Sequence, residues 1–478
     1  MSTSKQTGVS APADKSKASC TDTDMLRTLM GGTRAMRSAG EAHMPKWPNE
    51  ADEVHRARLK VATLFPAYSR TVQTLASKPF SKPITYSEKM NEQVKLWLTE
   101  DADLQGRNLD AFAHDVFEAA LAYGMSGILV DFPTVDPGAA VTKAQESAAG
   151  LRPYFVRVNA WDILGWRSAM QNGRAVLTML RLREYVTEED GEFGEKKVEQ
   201  IRVLTPGAFA LYRKDAKSAE WVLFKVGANT LTSIPFVPVY GHRTDFMQAT
   251  APMLEMAHLN VKHWQSQSDQ DNILHVARVP VLVVSGLNEV VDLTIGASNA
   301  LTLPMGAGAA YLEHTGSAIG AGRQSLEDLK EEMRQAGAEL LVMRQTEATA
   351  TQVASEDSIG MCVLQSMAAS TEDALDLAIE YLCSWVGMDA GECTVELFKD
   401  FGAANMAEAT AMILLSMQQA GLLSKRTMLK EVQRRGILSA DIDVVEELER
   451  VAEDGPPLGA SSDQPSDQPS DQQTDLVA

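Results

Sequence analysis

A mixed α+β fold is predicted for this 478-residue chain by three observations. Between Tyr154 and Tyr240 the apolar residues recur with period two, through Tyr154, Val156 and Val158, then Val176, Leu180 and Leu182, then Ile201 and Val203, then Trp221 and Leu223. That alternation belongs to antiparallel strands that bury one face. On either side the spacing turns helical, most clearly over 252–275 and 324–342. The composition, 45% hydrophobic, 23% charged and only 6% aromatic, fits a globular, helix-rich chain. At roughly 150 residues per domain, the length allows about three structural units.

The elements follow in order. Met1 to Asp24 is rich in Ser, Thr, Lys and Ala, without an apolar core or cleavage site, so it reads as a flexible leader and not as a signal peptide. Arg56 to Thr74 is helical but carries Pro66, whose missing N–H and ring force a break, so two short helices are expected. Lys78-Pro79 and Lys82-Pro83 make an extended connector. A helix from about Asn108 stops at Gly124, and Gly127 to Phe132 follows as a buried strand ended by Pro133. Asn172-Gly173 and Asp190-Gly191 stand where the sheet needs hairpin turns.

After Pro252, Leu254, Ala257, Val261 and Trp264 form a stripe on a helix running to about His275. Val279 to Val284 is a strand, and Leu293 to Leu312 reads as a Gly-rich β segment, with Gly320 and Gly322 as turns. A second long helix is predicted from Gln324 to Val342, with Leu326, Leu329, Met333, Ala336 and Leu340 inward. The polar, Thr-rich stretch 344–354 reads as a loop, and Ser355 is the expected cap of a helix that ends at Gly387. Cys393 to Phe398 is a brief strand, followed by short amphipathic helices over Ala407–Ala420, Lys425–Arg435 and Ala440–Ala452. The last 24 residues contain SDQP twice and cannot offset their ordering entropy by burial, so they read as disordered.

Charge and motif exclude several classes of function. A net charge of −20 argues against a protein that holds nucleic acid or a membrane surface on a basic face. No uninterrupted apolar run approaches the roughly 18 residues of a membrane span. Cys20, Cys362, Cys383 and Cys393 show no C-x-x-C pairing, so buried free thiols are expected, with neither zinc nor disulfide. The signatures H-E-x-x-H, G-x-x-x-x-G-K-[ST], G-x-S-x-G and G-x-G-x-x-G are absent. His258 and His263 are spaced i, i+5, which does not place a metal-binding pair on one helix face. Adjacent His114 and Asp115 point apart on a helix, so His114 reads as a core-edge histidine and not as half of an acid/base pair. No catalytic residue, cofactor or metal is assigned.

An ordered series of segments carries a resemblance. It runs through Phe65 to Val72 (FPAYSRTV), Lys78 to Pro83 (KPFSKP), Tyr123 to Pro133 (YGMSGILVDFP), Trp161 to Arg167 (WDILGWR), Leu182-Arg183-Glu184, Gln200 to Leu204, Ile234 to Val237, 258–275 and Thr349-Ala350-Thr351. Over about residues 47–390 it resembles the portal proteins of tailed bacteriophages of the podovirus type.

The resemblance implies a portal fold: a disordered leader 1–24, an α+β wing 25–251, a first stem helix 252–275, a small β-rich clip 276–322, a second stem helix 323–343, a tunnel loop 344–354, a long wing helix and strand 355–399, a helical crown 400–454 and a disordered tail 455–478. It implies a ring, usually a homododecamer, at one capsid vertex of the virion, assembled in the host cytoplasm. Double-stranded DNA passes through such a ring during packaging and ejection. The implied partners are the terminase large subunit, the head-tail adaptor, and the major capsid and scaffolding proteins, with no membrane.

Twelve copies at −20 each would make an acidic bore that repels phosphate, which suits transport without gripping. Lys330, Arg334 and Arg344 are the candidate lumen cations, and Thr346, Thr349, Thr351 and Gln352 the candidate neutral contacts to moving DNA. For each of Lys330, Arg334 and Arg344 the simpler reading, an exposed helix residue paired with Glu327, Glu331 or Glu339, is favoured over the lumen role. In the clip, Val281, Val283, Leu293, Leu301, Leu303 and Tyr311 are candidates for docking neighbours, the packaging motor and the adaptor, against a self-contained β unit. The alternatives are another head-tail connector or capsid-associated ring protein, and a cytosolic enzyme with an unrecognised site.

Overall fold

The computed structural model describes residues 8–19, 22–133, 150–215, 220–277, 281–285, 308–312, 317–341, 361–390, 393–399, 424–434 and 444–453, with isolated positions between. Two compact units divide the chain, Met1–Lys399 and Asp400–Ala478. The fold is mixed α+β.

At the centre of the first unit is α7 (Leu109–Tyr123), capped by Asn108, whose side chain accepts the Ala111 amide, and ended at Gly124 with φ +88°. Its residues Leu109, Phe112, Val116, Phe117 and Leu121 are completely buried. The chain turns at Gly124 into β2 (Met125–Asp131), the middle strand of a three-stranded antiparallel sheet in the order β3 (Tyr154–Asn159), β2, β9 (Phe236–Tyr240). All but the last residue of β2 is buried, which accounts for its apolar run Ile128-Leu129-Val130. Gly127 is required there because the Phe236 ring lies where a Cβ would stand.

The period-two region forms a five-stranded antiparallel meander: β4 (Ile163–Gln171), β5 (Arg174–Asp190), β6 (Gly194–Thr205), β7 (Ala208–Lys214) and β8 (Trp221–Ala228). Asn172 (φ 50°) and Gly173 (φ 76°) make the two-residue turn between β4 and β5. Met125, Leu129, Ile163, Leu180, Leu182, Leu204 and Phe236 join the two sheets in one apolar cluster. A β-hairpin of β10 (His242–Asp245) and β11 (Gln248–Thr250) follows.

Pro66 does divide two helices, α4 (Asp52–Val61) and α5 (Ala67–Ala76). Before them lie α1 (Asp14–Ser19), α2 (Thr23–Met30) and α3 (Gly32–Ala39). Residues 8–19, expected in a flexible leader, instead lie on the edge of β4. The Ala13 amide donates to the Leu164 carbonyl at 2.8 Å, the Ser16 hydroxyl to the Ile163 carbonyl, and Arg181 to the Val9 carbonyl at 2.7 Å. The open donors and acceptors of an edge strand supply what the segment's own composition lacks.

A short β1 (Thr85–Tyr86) and helix α6 (Glu92–Glu100) complete the near side. Beyond β11 come α8 (Leu254–Ala277), β12 (Val281–Ser285), β13 (Gly308–Leu312), α9 (Ser317–Ala338) with a final 3₁₀ turn Glu339–Leu341, and α10 (Val363–Val386). Helix α9 begins earlier than the expected 323, so Gly320 and Gly322 are helical and the expected clip 276–322 loses its last residues to the helix. The described part of α10 is capped by Cys362 and Gln365 in a reciprocal capping box, and Ser355 lies outside the described residues.

Helix α10 packs on β9 and β2. Trp385 donates its indole N–H to the Val130 carbonyl at 3.0 Å and stacks on Phe132. β14 (Val395–Glu396) then pairs with β1. Cys362, Cys383 and Cys393 are free and buried, and burial pushes the Cys383 thiol up to about 12. In the second unit, α11 (Lys425–Arg434) and α12 (Val444–Glu453) pack together, with Gln433 donating to the Ile442 carbonyl at 2.8 Å. Of the expected helix 407–420 only 415, 416 and 418 are described, each of them helical, and the tail 455–478 falls outside the described residues.

Candidate functional site: an antiparallel helix pair closed by a β-hairpin

Helix α8 has 24 residues and α9 has 22, or about 36 and 33 Å at roughly 1.5 Å per residue. They run antiparallel. Gly337 lies against Met256, Lys330 acts on His263, and Gln270 donates to the Ile319 carbonyl at 3.0 Å, so one index falls as the other rises. Between them β12 and β13 pair in antiparallel register from Val281↔Leu312 to Ser285↔Gly308.

The buried face of α8 keeps Ala257 and Trp264 of the stripe expected from the sequence, whereas Leu254 and Val261 are only half-buried. Asn260, His263, Ser268 and Gln270 are buried beside them. Polar side chains tie α8 to the segment 43–68. Asn260 donates to the Phe65 carbonyl at 2.9 Å and accepts the Tyr68 amide at 3.0 Å, and Gln265 donates to the His43 carbonyl at 2.9 Å. Asp269 accepts from Arg58 at 2.7 Å and from the Trp47 indole at 3.2 Å, while Arg58 also reaches Glu50 at 3.0 Å. A buried polar face that is fully paired fixes the axial position of a helix more narrowly than interchangeable apolar contacts do.

Two neighbours on α8 are exceptions. Among the described residues neither the Trp264 indole N–H nor either ring nitrogen of His263 has a hydrogen-bond partner. His263 is the titratable one. Its ring lies 5.4 Å from that of Phe65. Burial, and secondarily the charge of Lys330, hold its pKa below the ordinary 6.5.

The expected lumen cations separate. Lys330 turns inward: its ammonium lies 5.6 Å from the Phe65 ring centroid and 4.0 Å from Glu327. Its long stem is better buried at the junction of α5, α8 and α9 than left in water. Arg334 is 74% exposed and reaches Glu331 at 3.0 Å, the i, i+3 pairing weighed from the sequence. Arg344, Thr346, Thr349, Thr351 and Gln352 lie outside the described residues, as do Leu293, Leu301 and Leu303. Val281, Val283 and Tyr311 belong to the hairpin, where Leu282 pairs with Tyr311, and Val283 is exposed.

No group of His, Cys, Asp and Glu among the described residues is arranged to hold a metal. His114 rests edge-on against Phe80 with its Nδ1 4.0 Å from both Asp115 and Glu118, so it and Asp115 do not point apart as expected, and Asp115 pairs more closely with Arg107. The two carboxyls pushed upward by burial, Asp162 and Asp376, stand on separate elements, where Asn159 and the Val395 amide hold them. Among the described residues no helix is long and apolar enough to cross a membrane.

Residues 252–386, which span both long helices, the hairpin and α10, match the family described as Domain of unknown function (DUF4055). No curated protein sequence matches the chain. Among solved structures it is similar to a chain in the neck of a native gene transfer agent (GTA) particle computed with C12 symmetry, at 12% identity and TM-score 0.42, covering 84% of this chain and 98% of that one. It is also similar to a chain in the virion of a native GTA particle, at 13% identity and TM-score 0.40, covering 82% and 96%.

Proposed function

We propose that this chain is a portal subunit: many copies, twelve by the resemblance, form a ring at one capsid vertex of a phage-like virion, and double-stranded DNA enters and leaves through its bore. The observation that carries the reading is the helix pair. α8 and α9 form a rod of about 33–36 Å, locked along one side to the α+β body by buried polar contacts and closed by a small β-hairpin. A lone rod of this kind has a free side. It leaves Ile273 and Val283 exposed and carries Glu327, Asp328, Glu331, Glu332 and Arg334 on α9, a surface suited to flanking copies and a polar bore.

In this reading the α+β body is the wing, α8 and α9 the stem, the hairpin the clip that meets the terminase large subunit and later the head-tail adaptor, and the second unit the crown. Capsid and scaffolding proteins surround the wing. Arg334 is then the described residue best suited to a sparse cation ring in an acidic bore, because Lys330 is engaged within its own subunit. The work done is mechanical and electrostatic. Weak, repelling walls let DNA slide where a basic channel would hold it through counterion release.

Negative-stain microscopy of the purified full-length protein, with its mass measured in solution, tests the proposal. Rings with an axial hole are expected. A monomer or dimer at all concentrations overturns it.

A further inference from the structure

We propose that the β5–β6 hairpin is an arm by which one copy of this chain grips the next, seating Phe193 in the apolar cavity between α4 and α8 of its neighbour. The inference rests on the ring reading and adds a specific contact to it.

The hairpin outgrows its sheet. β4 pairs with β5 only as far as Leu182, and β7 pairs with β6 only from Gln200 onward. From Tyr185↔Glu199 to Asp190↔Gly194 the two strands pair with each other alone, a ribbon about 20 Å long at roughly 3.4 Å per residue. Its base is braced by Arg213 on Glu188 at 2.6 Å, Lys214 on Glu199 at 2.8 Å and Lys197 over the Tyr185 ring at 4.5 Å. Its tip is not. Phe193 is 91% exposed, and Glu189, Asp190, Glu192 and Glu195 make no ion pair among the described residues. A bare two-stranded ribbon is at best marginally stable in water, so a long one that ends in an exposed benzyl group calls for a seat.

This chain carries a seat of the right chemistry. A cavity of about 570 Å³ lies between α4 and the C-terminal half of α8, with an apolar wall of Val54, Ala57, Val61, Ala62 and Leu274 and a polar one of Arg58, Ser268, Asp271, Asn272 and His275. An apolar cavity of roughly 150 Å³ is enough to take a benzene ring. Val54 and Val61 are exposed on the single copy. Arg37 donates to the Ala62 carbonyl at 2.9 Å and to the Val61 carbonyl at 3.3 Å, which stands its guanidinium at the rim.

Charge favours the contact. Residues 184–199 hold seven Asp and Glu against two Lys, whereas residues 31–65 hold six Lys and Arg against four Asp and Glu, and Asp269 and Asp271 on the α8 wall bring the seat to neutrality, in a chain whose overall charge is −20. Arm and cavity are different surfaces, so their contact is heterologous. Repeated from copy to copy, such a contact closes into a ring when the rotation closes.

The test mixes two full-length proteins in a Cys20→Ser background, one with Phe193→Cys and one with Val61→Cys, under a mild thiol oxidant. A disulfide-linked pair in the mixture, above the level of either protein alone on a non-reducing gel, is expected. Phe193→Ser should also raise the protein concentration needed for half-assembly about tenfold or more, with the thermal midpoint of the subunit unchanged. Rings that form without the 193–61 cross-link, or that assemble as readily with Phe193→Ser, overturn the arm and leave the ring standing. Monomers without the cross-link overturn both.

Discussion

Asn260 of α8 accepts the backbone amide of Tyr68 at 3.0 Å, across nearly two hundred residues of sequence, and so closes the first turn of α5 from outside. The side-chain amide of Asn260 donates in turn to the Phe65 carbonyl at 2.9 Å, which also accepts the Ala67 amide at 2.8 Å. One fully buried side chain therefore bridges the two sides of the break. Asn260→Leu keeps the volume and strands the Tyr68 amide, while the Phe65 carbonyl keeps the Ala67 amide. It is expected to lower the unfolding free energy by about 1–3 kcal/mol, measured by urea denaturation, and a loss below the error of that measurement would remove Asn260 as an anchor.

Arg58 makes a second anchor of another kind. Its side chain is 5% exposed, that of its partner Glu50 is 9% exposed, and Asp269 of α8 takes the other end of the guanidinium. Removing one member leaves a buried charge alone, so Arg58→Met is expected to cost about 3–5 kcal/mol. Glu50→Leu added to it should recover most of that loss, because two well-packed apolar groups cost little where a lone carboxylate costs much. The comparison of single and double variants by denaturation decides the matter. A double variant no more stable than the single one would mean that packing and not charge carries the effect.

These anchors explain where the sequence was readable and where it was not. The hairpin turn at Asn172-Gly173, the break at Pro66 and the Gly124 stop were legible because local backbone preference alone dictates them. The buried face of α8 was legible only at Ala257 and Trp264. Hydrophobic periodicity registers Leu254 and Val261 but is blind to Asn260, His263 and Ser268, whose burial depends on partners far away in sequence. Gly320 and Gly322 suggested turns, yet Gly322 is helical so that α9 can pass close to the Gln270 amide. The ordering of 8–19 on β4 had no local signal either, since the open edge of another strand provides it. Arg334 could be named from its spacing to Glu331, whereas the inward turn of Lys330 follows from the Phe65 ring beneath it.

Gly127 offers a steric test of the central sheet. The Phe236 ring occupies the position of a Cβ on β2, and that ring is itself only 3% exposed, so it has little room to move. Gly127→Ala should therefore destabilise the chain by about 1–3 kcal/mol through overpacking, read from the thermal or urea midpoint. An unchanged midpoint would mean that the ring has room to shift.

His263 predicts an acid-sensitive helix pair. Burial first, and Lys330 second, lower its pKa from 6.5, so in mildly acidic solution the folded chain binds fewer protons there than the unfolded one. The stability gained by keeping the ring neutral is complete above the unfolded value and drains as the pH falls toward the folded one. The loss approaches at most about 1.4 kcal/mol per pH unit for one group. His263→Phe should flatten the wild-type slope between about pH 6.5 and 5, measured as the difference between two urea series. Parallel slopes for the two proteins would assign the acid sensitivity elsewhere.

Arg334 separates folding from transport. Its side chain is 74% exposed, and its pair with Glu331 is an i, i+3 contact on one helix, the type worth only a few tenths of a kcal/mol in water. Arg334→Glu should leave the unfolding free energy within about 0.5 kcal/mol of wild type. If the residue faces moving DNA, the reversal removes one positive charge per copy from the bore and adds a negative one, so attraction to phosphate falls while repulsion grows. Packaging assayed by nuclease-protected DNA should then change with salt differently from wild type, with the two converging as screening shortens the reach of both charges. Identical salt curves from rings that assemble normally would take Arg334 out of the bore. The charge on α9 would then belong to the contact between neighbouring subunits, where a substitution at Glu331 should shift assembly and leave packaging by the assembled ring unchanged.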